Sequence, residues 1–139
     1  MILFLDTNVI LDLILRREPF FDDIAKIVTL SVKGKYRLVT SSVSFVNCNY
    51  ILTRSIKKEK VTENLKIARL IFDIIDVSQI DIDKSLHSDF TDFEDGVQYY
   101  AALRNNCSHI ITRDNKDFKY SEIPVLAPSE FIKIVENKP

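Results

Sequence analysis

The chain of 139 residues, 46% hydrophobic and 28% charged, is long enough to bury one core and is near the usual size of a single domain. Two glycines, four prolines and no low-complexity run exclude a flexible linker or an extended disordered segment, so one domain over 1–139 is expected. The net charge of −1 says little as a total, but residues 24–58 carry no acid and seven bases, whereas residues 73–95 carry eight acids against Lys84 alone. A basic flank beside an acidic centre suits a protein that holds phosphates and binds cations, although solvated helix faces produce the same pattern.

The apolar start Met1–Leu5 is cut off by Asp6, and no apolar stretch approaches the ~20 residues that cross a bilayer. A soluble, cytoplasmic protein without a membrane partner is expected. Cys48 and Cys107 lie far apart, outside any C-x-x-C or Cys/His spacing, and read as two reduced, structural thiols.

In chain order, Ile2–Leu5 is a wholly apolar run and reads as a strand buried on both faces. Asp6, Thr7 and Asn8 then supply helix-capping side chains. Val9, Leu13 and Ile14, followed by Ile24, Ile27, Val28 and Val32, recur at helical spacing on either side of Pro19, so two helices follow, the second ending near Gly34. Arg37–Thr40 reads as a second strand. Ser41 or Ser42 can cap a helix carrying Val43, Val46, Tyr50 and Ile51 on one stripe, and residues 62–72 repeat the pattern with Leu65, Ala68 and Ile71. Ile74–Val77 is expected as a third strand and Ile80–Ser88 as a helix, after which Asp92 caps a helix carrying Val97, Tyr100, Ala101 and Leu103. His109–Thr112 and Pro124–Leu126 read as the last two strands, with a closing helix over Ser129–Val135 opened by Pro128.

Strands separated by helices imply right-handed crossovers and an α/β fold: a three-layer αβα arrangement around a central, mainly parallel five-stranded sheet. In such sheets ligands sit beyond the C-terminal strand ends, near the place where strand order reverses.

With Gly34 and Gly96 as the only glycines there is no G-x-G-x-x-G and no G-x-x-x-x-G-K-[ST], which excludes dinucleotide and P-loop sites. No G-x-S-x-G occurs, and neither His87 nor His109 sits in a motif that pairs it with a nucleophile. Carboxylates are what remains at the strand ends. Asp6 ends the first strand, Asp114 and Asp117 follow the fourth, and Asp95 lies in the first turn of the helix that feeds the fourth. Carboxylates brought together repel unless protonated or bridged by cations. Mg²⁺ takes oxygen ligands and keeps several waters, so a few acids suffice without Cys or His, and such a site can run phosphodiester hydrolysis. Each acid also has an ordinary reading: Asp6 as a helix cap, Asp92 with Asp95 as a near capping box, Asp114–Asp117 as a polar turn. Gathered at matching strand ends, they stand together as a candidate site.

Three blocks, F-L-D-T-N-V-I-L-D (Phe4–Asp12), D-F-E-D-G-V-Q-Y-Y-A-A-L (Asp92–Leu103) and I-I-T-R-D-N-K-D-F (Ile110–Phe118), resemble in order the signature blocks of PIN-domain nucleases, in particular VapC-type toxins of toxin–antitoxin pairs. The resemblance implies a PIN-like fold and an endoribonuclease dependent on Mg²⁺ or Mn²⁺. It carries metal-binding acids onto Asp6, Asp95 and Asp114, with Asp117 as an additional acid and Thr7, Asn8 and Thr112 as the groups that orient them. The pattern's second acid, normally Glu in the helix after the second strand, falls on Asn47, a departure at a catalytic position that should weaken metal binding. Asn47 shares the stripe of Val43, Val46, Tyr50 and Ile51, so it is expected to point inward, where its amide needs a site carboxylate, water or a backbone carbonyl as partner.

RNA is the substrate that kinship implies, drawn in by Arg113, Lys116, Arg54, Lys57 and Lys58, with exposed bases stacking on Tyr50, Tyr99 or Tyr100 unless those tyrosines are core. A homodimer and a small antitoxin protein are the partners implied. Two other readings stay open: a PIN-like nucleic-acid-binding or interaction module that has lost catalysis, motivated by Asn47, and a haloacid-dehalogenase-like phosphatase with Asp6 as nucleophile, whose D-x-D pattern fails at Asn8.

Overall fold

Ile2–Leu5 (β1) becomes the middle strand of the sheet because every side chain in it is apolar and can be covered from both sides. In the computed structural model, which describes residues 1–137, β1 is joined in parallel by β2 (Arg37–Ser41) and β4 (His109–Ile111). β3 (Asp73–Ile75) lies outside β2 and β5 (Val125–Leu126) outside β4, giving the order β3-β2-β1-β4-β5 with every pairing parallel. Alternation along the strands feeds two cores. Leu3 and Leu5 join Leu38 and Ile111 on one face, and Phe4 joins Val39 and Ile110 on the other.

The first face is covered by α1 (Thr7–Ile14), α2 (Phe21–Val32), α3 (Ser42–Ser55), α4 (Lys58–Ile71) and α7 (Pro128–Glu136). The second is covered by α6 (Phe93–Arg104), with α5 (Gln79–Leu86) packed against it and Phe118 entering from a 3₁₀ turn at Asn115–Phe118. This is the expected three-layer α/β architecture, with a sheet that is wholly rather than mainly parallel. Gly96 lets α6 approach α5, since a Cβ there would lie 2.2 Å from Ser85 Oγ. Among the described residues no helix is long and apolar enough to cross a membrane. Cys48 and Cys107 are buried free thiols, and burial pushes their pKa values up to about 12 and about 11, as suits structural residues.

Several elements differ from the expectation. In α3 the inward positions are Ser44, Cys48 and Leu52, while Val46 and Tyr50 stand in solvent and Asn47 is half-buried. The apolar stripe was misleading because the Ser44 hydroxyl is used in a hydrogen-bond chain between α1 and α6, which draws a polar side chain inward. α4 begins at Lys58, a turn before residue 62, since Lys58–Lys60 form helix readily without an apolar signal and Val61 is already buried. β3 stops at Ile75, leaving Val77 to pack at the edge of the second core, and in α6 Val97 and Ala101 are buried as expected, joined by Tyr99 and Ala102, while Tyr100 is half-buried and Leu103 exposed.

α1 ends in a Schellman motif: Arg17 N–H donates to Asp12 O at 3.0 Å and Arg16 N–H to Leu13 O at 3.4 Å, with Arg16 at φ 51° where glycine is usual. The left-handed conformation costs a residue with a Cβ about 1 kcal/mol. Arg16→Gly is therefore expected to raise the unfolding free energy by about 1 kcal/mol in equilibrium denaturation. No gain would mean that the Arg16 guanidinium, 5.7 Å from the Phe21 ring centroid, contributes as much as the strain removes.

Candidate active site

The chain builds β1, β2 and β3 outward in one direction and then returns to place β4 on the other side of β1, so strand order reverses between β1 and β4. The crevice at such a reversal opens beyond the C-terminal strand ends. Asp6 leaves β1 there, and its N–H extends the ladder by donating to Ile111 O at 3.0 Å. The same residue caps α1, with Thr7 N–H donating to Asp6 Oδ1 at 2.8 Å. One side chain thus ends a strand, opens a helix and faces the crevice.

Asp6 is only 8% exposed, and its second oxygen accepts from Thr112 Oγ1 at 2.8 Å. Thr112 Oγ1 in turn accepts from Asp114 N–H at 3.1 Å and from Asn8 Nδ2 at 3.3 Å, and the Asn8 amide reaches Asp114 Oδ2 at 3.4 Å. Across the crevice runs a second chain. Thr7 Oγ1 donates to Ser44 Oγ at 3.1 Å, Ser44 Oγ to Gln98 Oε1, and Gln98 Nε2 to Glu94 Oε1 at 3.4 Å. Asn47 Nδ2 donates to the same Glu94 oxygen at 2.7 Å. These bonds tie α1, α3 and α6 into the walls of an open groove of about 480 Å³ lined by Asp6, Glu94, Asp95, Asp114 and Asp117 as its acids.

Burial raises the pKa of Asp6 above its ordinary value; hydrogen bonds from Thr112 and Thr7 oppose this, and the charges of Asp114 and Glu94 reinforce it. Asp95 is pushed up to about 7, first by burial and then by the charges of Asp92, Asp6, Asp117 and Glu94. The acids therefore feel one another. Among the described residues no three His, Cys, Asp or Glu side chains form a closed ligand set as they stand. The donors are nonetheless all oxygen, and Asp6, Glu94 and Asp114 are held by partners that leave lone pairs free. A hard cation that keeps part of its water shell fits such an open set, with Asp6, Glu94, Asp95, Asp114 and Asp117 as the residues that could hold it.

The expected bases are placed differently from one another. Arg113 does not line the groove: it is paired with Asp12 through Nε–Oδ2 at 2.7 Å and Nη2–Oδ1 at 3.2 Å, with its Cζ 4.0 Å from the Phe20 ring centroid. Asp12 is 1% exposed, and a buried carboxylate needs a cation, so Arg113 serves the scaffold rather than the groove. Lys57 and Lys58 open α4 and Lys116 sits in the 3₁₀ turn, none of them lining the groove. Arg54 lies over Tyr50, with its Cζ 4.6 Å from the ring centroid, and Tyr50 does line the groove. Tyr99 is core, and Tyr100 is half-buried against it. Sequence reasoning missed Glu94, Gln98 and Arg17, all groove-lining. The i, i+4 spacing of Glu94 and Gln98 marks a shared helix face, but Arg17 carries no local signal.

A family model described as PIN domain matches residues 3–116. "Ribonuclease VapC1" of Aquifex aeolicus (strain VF5) is 29% identical over 133 residues, covering 92% of this chain and 91% of the relative. The structure of VapBC2 from Rickettsia felis bound to a DNA fragment from their promoter superposes with a TM-score of 0.69 at 20% identity, covering 91% of this chain and 97% of that one. A toxin–antitoxin complex from Klebsiella pneumoniae gives 0.66 at 22% identity, covering 90% and 96%. At such identities the solved structures speak for the fold alone.

Two outcomes are expected of the site's electrostatics. Asp95 has a folded pKa of about 7 against an ordinary 3.8, so it binds its proton more tightly when folded, and the stability it contributes is present at low pH and lost as pH rises through about 7. Asp95→Asn should thus raise the melting temperature of the metal-free protein at pH 8 more than at pH 5; equal shifts at both would contradict the repulsion. Arg113→Ala leaves Asp12 buried without its bidentate partner and should cost roughly 3 kcal/mol in chemical denaturation, whereas a loss below about 1 kcal/mol would mean that Arg17 compensates.

Proposed function

The chain belongs to the PIN-domain family, and on that premise we propose that it is an endoribonuclease dependent on Mg²⁺ or Mn²⁺, acting as the toxin of a toxin–antitoxin pair. The observation that carries this reading is the meeting of Asp6, Glu94, Asp95, Asp114 and Asp117, from separate stretches of chain, along one groove at the switch point of a parallel sheet. Mg²⁺ or Mn²⁺, when bound, would polarise a phosphodiester and acidify an attacking water.

The chain's own residues prepare for that chemistry. Thr112 and Thr7 N–H hold the Asp6 carboxylate on both oxygens, and Asn8 steers Asp114. Glu94 offsets the departure at position 47: the Asn47 amide donates to its carboxylate, so an acid from α6 stands against the place where α3 lacks one. Asp95, titrating near neutrality, gives up a proton as a cation is loaded, which makes cation affinity fall on acidification below about 7.

RNA as the substrate draws support from the Aquifex relative's name, and single-stranded RNA from Tyr50, which is 57% exposed on the groove's lip with Arg54 against its ring and can stack an unpaired base. An antitoxin partner draws support from the similar Klebsiella pneumoniae structure, which is named as a toxin–antitoxin complex. A homodimer and a cytoplasmic location rest on the family resemblance and belong to the same proposal. Asn47 also favours a second reading, a PIN-like binding module without catalysis. The phosphatase reading finds no support, since Asn8 stands at its second acid and is engaged with Thr112 and Asp114.

The purified protein is expected to cleave single-stranded RNA with Mn²⁺ or Mg²⁺ and to stop on addition of EDTA. Asp6→Asn and Asp95→Asn should abolish cleavage while circular dichroism stays that of a folded protein. Glu94→Gln should weaken Mn²⁺ binding about tenfold in calorimetry. Cleavage that survives EDTA would overturn the mechanism, and Mn²⁺ binding with no cleavage of any RNA would select the binding module.

A further inference from the structure

We propose that Arg17 is the phosphate-binding residue of the groove, its guanidinium receiving the non-bridging oxygens of a single-stranded RNA beside the acids. This rests on the nuclease reading above and assigns the substrate contact that reading lacks. An RNA phosphate approaching five carboxylates is repelled unless fixed positive charge meets it. Among the described residues Arg17 is the one cation that lines the groove.

Arg17 is also free to do it. Asp12, the acid next to it, is already satisfied by the two hydrogen bonds from Arg113, which rests on Phe20. What is left for Arg17 is an ion pair of 3.6 Å from Nε to Asp12 Oδ1, too long for a hydrogen bond; that Nε is buried on the Asp12 side, so it is the outer part of the guanidinium that can meet a ligand. Its side chain remains 38% exposed. A guanidinium that spends only its inner Nε on a long ion pair keeps its outer Nη donors for a phosphate, which they can meet in pairs. Asp12 still helps by balancing the second positive charge.

The backbone fixes where that guanidinium starts from. Arg17 N–H is held by Asp12 O at 3.0 Å in the Schellman turn, and Arg17 O accepts from Phe20 N–H at 3.0 Å and Phe21 N–H at 2.9 Å at the entrance to α2. The Cα is bound on both sides, so less conformational freedom is lost when the side chain engages a ligand.

The test compares wild type, Arg17→Ala and Arg17→Lys in cleavage of a labelled single-stranded RNA with Mn²⁺, alongside Mn²⁺ calorimetry and thermal melts. Arg17→Ala is expected to lower kcat/KM by about tenfold or more, with Lys restoring part of it, and to reduce the salt dependence of KM by about one phosphate contact. Mn²⁺ affinity should stay equal or rise, because a cation has left an acidic groove. A purely structural Arg17 would instead lower Mn²⁺ affinity and cleavage together, and that result overturns the proposal. Where Arg17→Ala does not fold, Arg17→Gln, which keeps most of the stem, carries the same comparison. A wild type that cleaves while these variants match its kcat/KM overturns this inference and leaves the nuclease reading standing. A wild type that neither binds nor cleaves RNA overturns both.

Discussion

A buried carboxylate is tolerable only where donors meet it, and the hydrogen bond from Thr112 to Asp6 supplies that condition at the centre of this fold. The two residues are 106 positions apart and meet because β1 pairs with β4, in the register Leu5 opposite Ile111. The same hydroxyl accepts from Asp114 N–H and from the Asn8 amide, so one oxygen atom sets where the chain leaves β4 and how Asp114 enters the groove. Slip that pairing by one residue and Thr112 turns to the other face, Asp6 loses a donor, and the acids disperse.

Helix α6 shows how the same chemistry can be turned to opposite ends. At its C-terminal end Arg104 clamps Asp81 through Nη2 at 2.9 Å and Nε at 3.2 Å. Burial alone would raise the Asp81 carboxyl, but hydrogen bonds from Arg104 and Ser78 hold it below the ordinary value, and α5 is locked onto α6. At its N-terminal end Asp95 is pushed up to about 7 by burial and by the charges of Asp92, Asp6, Asp117 and Glu94. Compensated charge builds the scaffold and uncompensated charge marks the groove. Sites that concentrate like charge in this way do so at the expense of stability, with a packed core elsewhere to carry it.

Charged residues of one type were therefore poor guides to role. Arg113 follows Thr112 directly and reads as an arm reaching for phosphate, yet Asp12 claims it through two hydrogen bonds; Arg17, with no motif around it, lines the groove with its side chain 38% exposed. Asn47 behaves similarly. Its position in α3 reads as apolar-facing, but the inward face belongs to Ser44, Cys48 and Leu52, and Asn47 instead turns across the groove to Glu94. Each of these roles depends on which counter-charge arrives from a distant element.

What the sequence by itself determined is local: the all-apolar run of β1, the caps at Asp6, Ser41 and Asp92, the turn at Gly34, and the alternation of strands and helices that requires a parallel sheet with its site at the C-terminal edge. These follow from side-chain periodicity and backbone hydrogen bonding over a few residues, which neighbouring letters report. Only the tertiary structure decided that Glu94 faces Asn47, that Asp12 claims Arg113, and that Arg17 is the cation left beside the acids. Electrostatic pairing acts through space between residues tens of positions apart, and competition among several partners for one carboxylate is resolved only when the chain has folded.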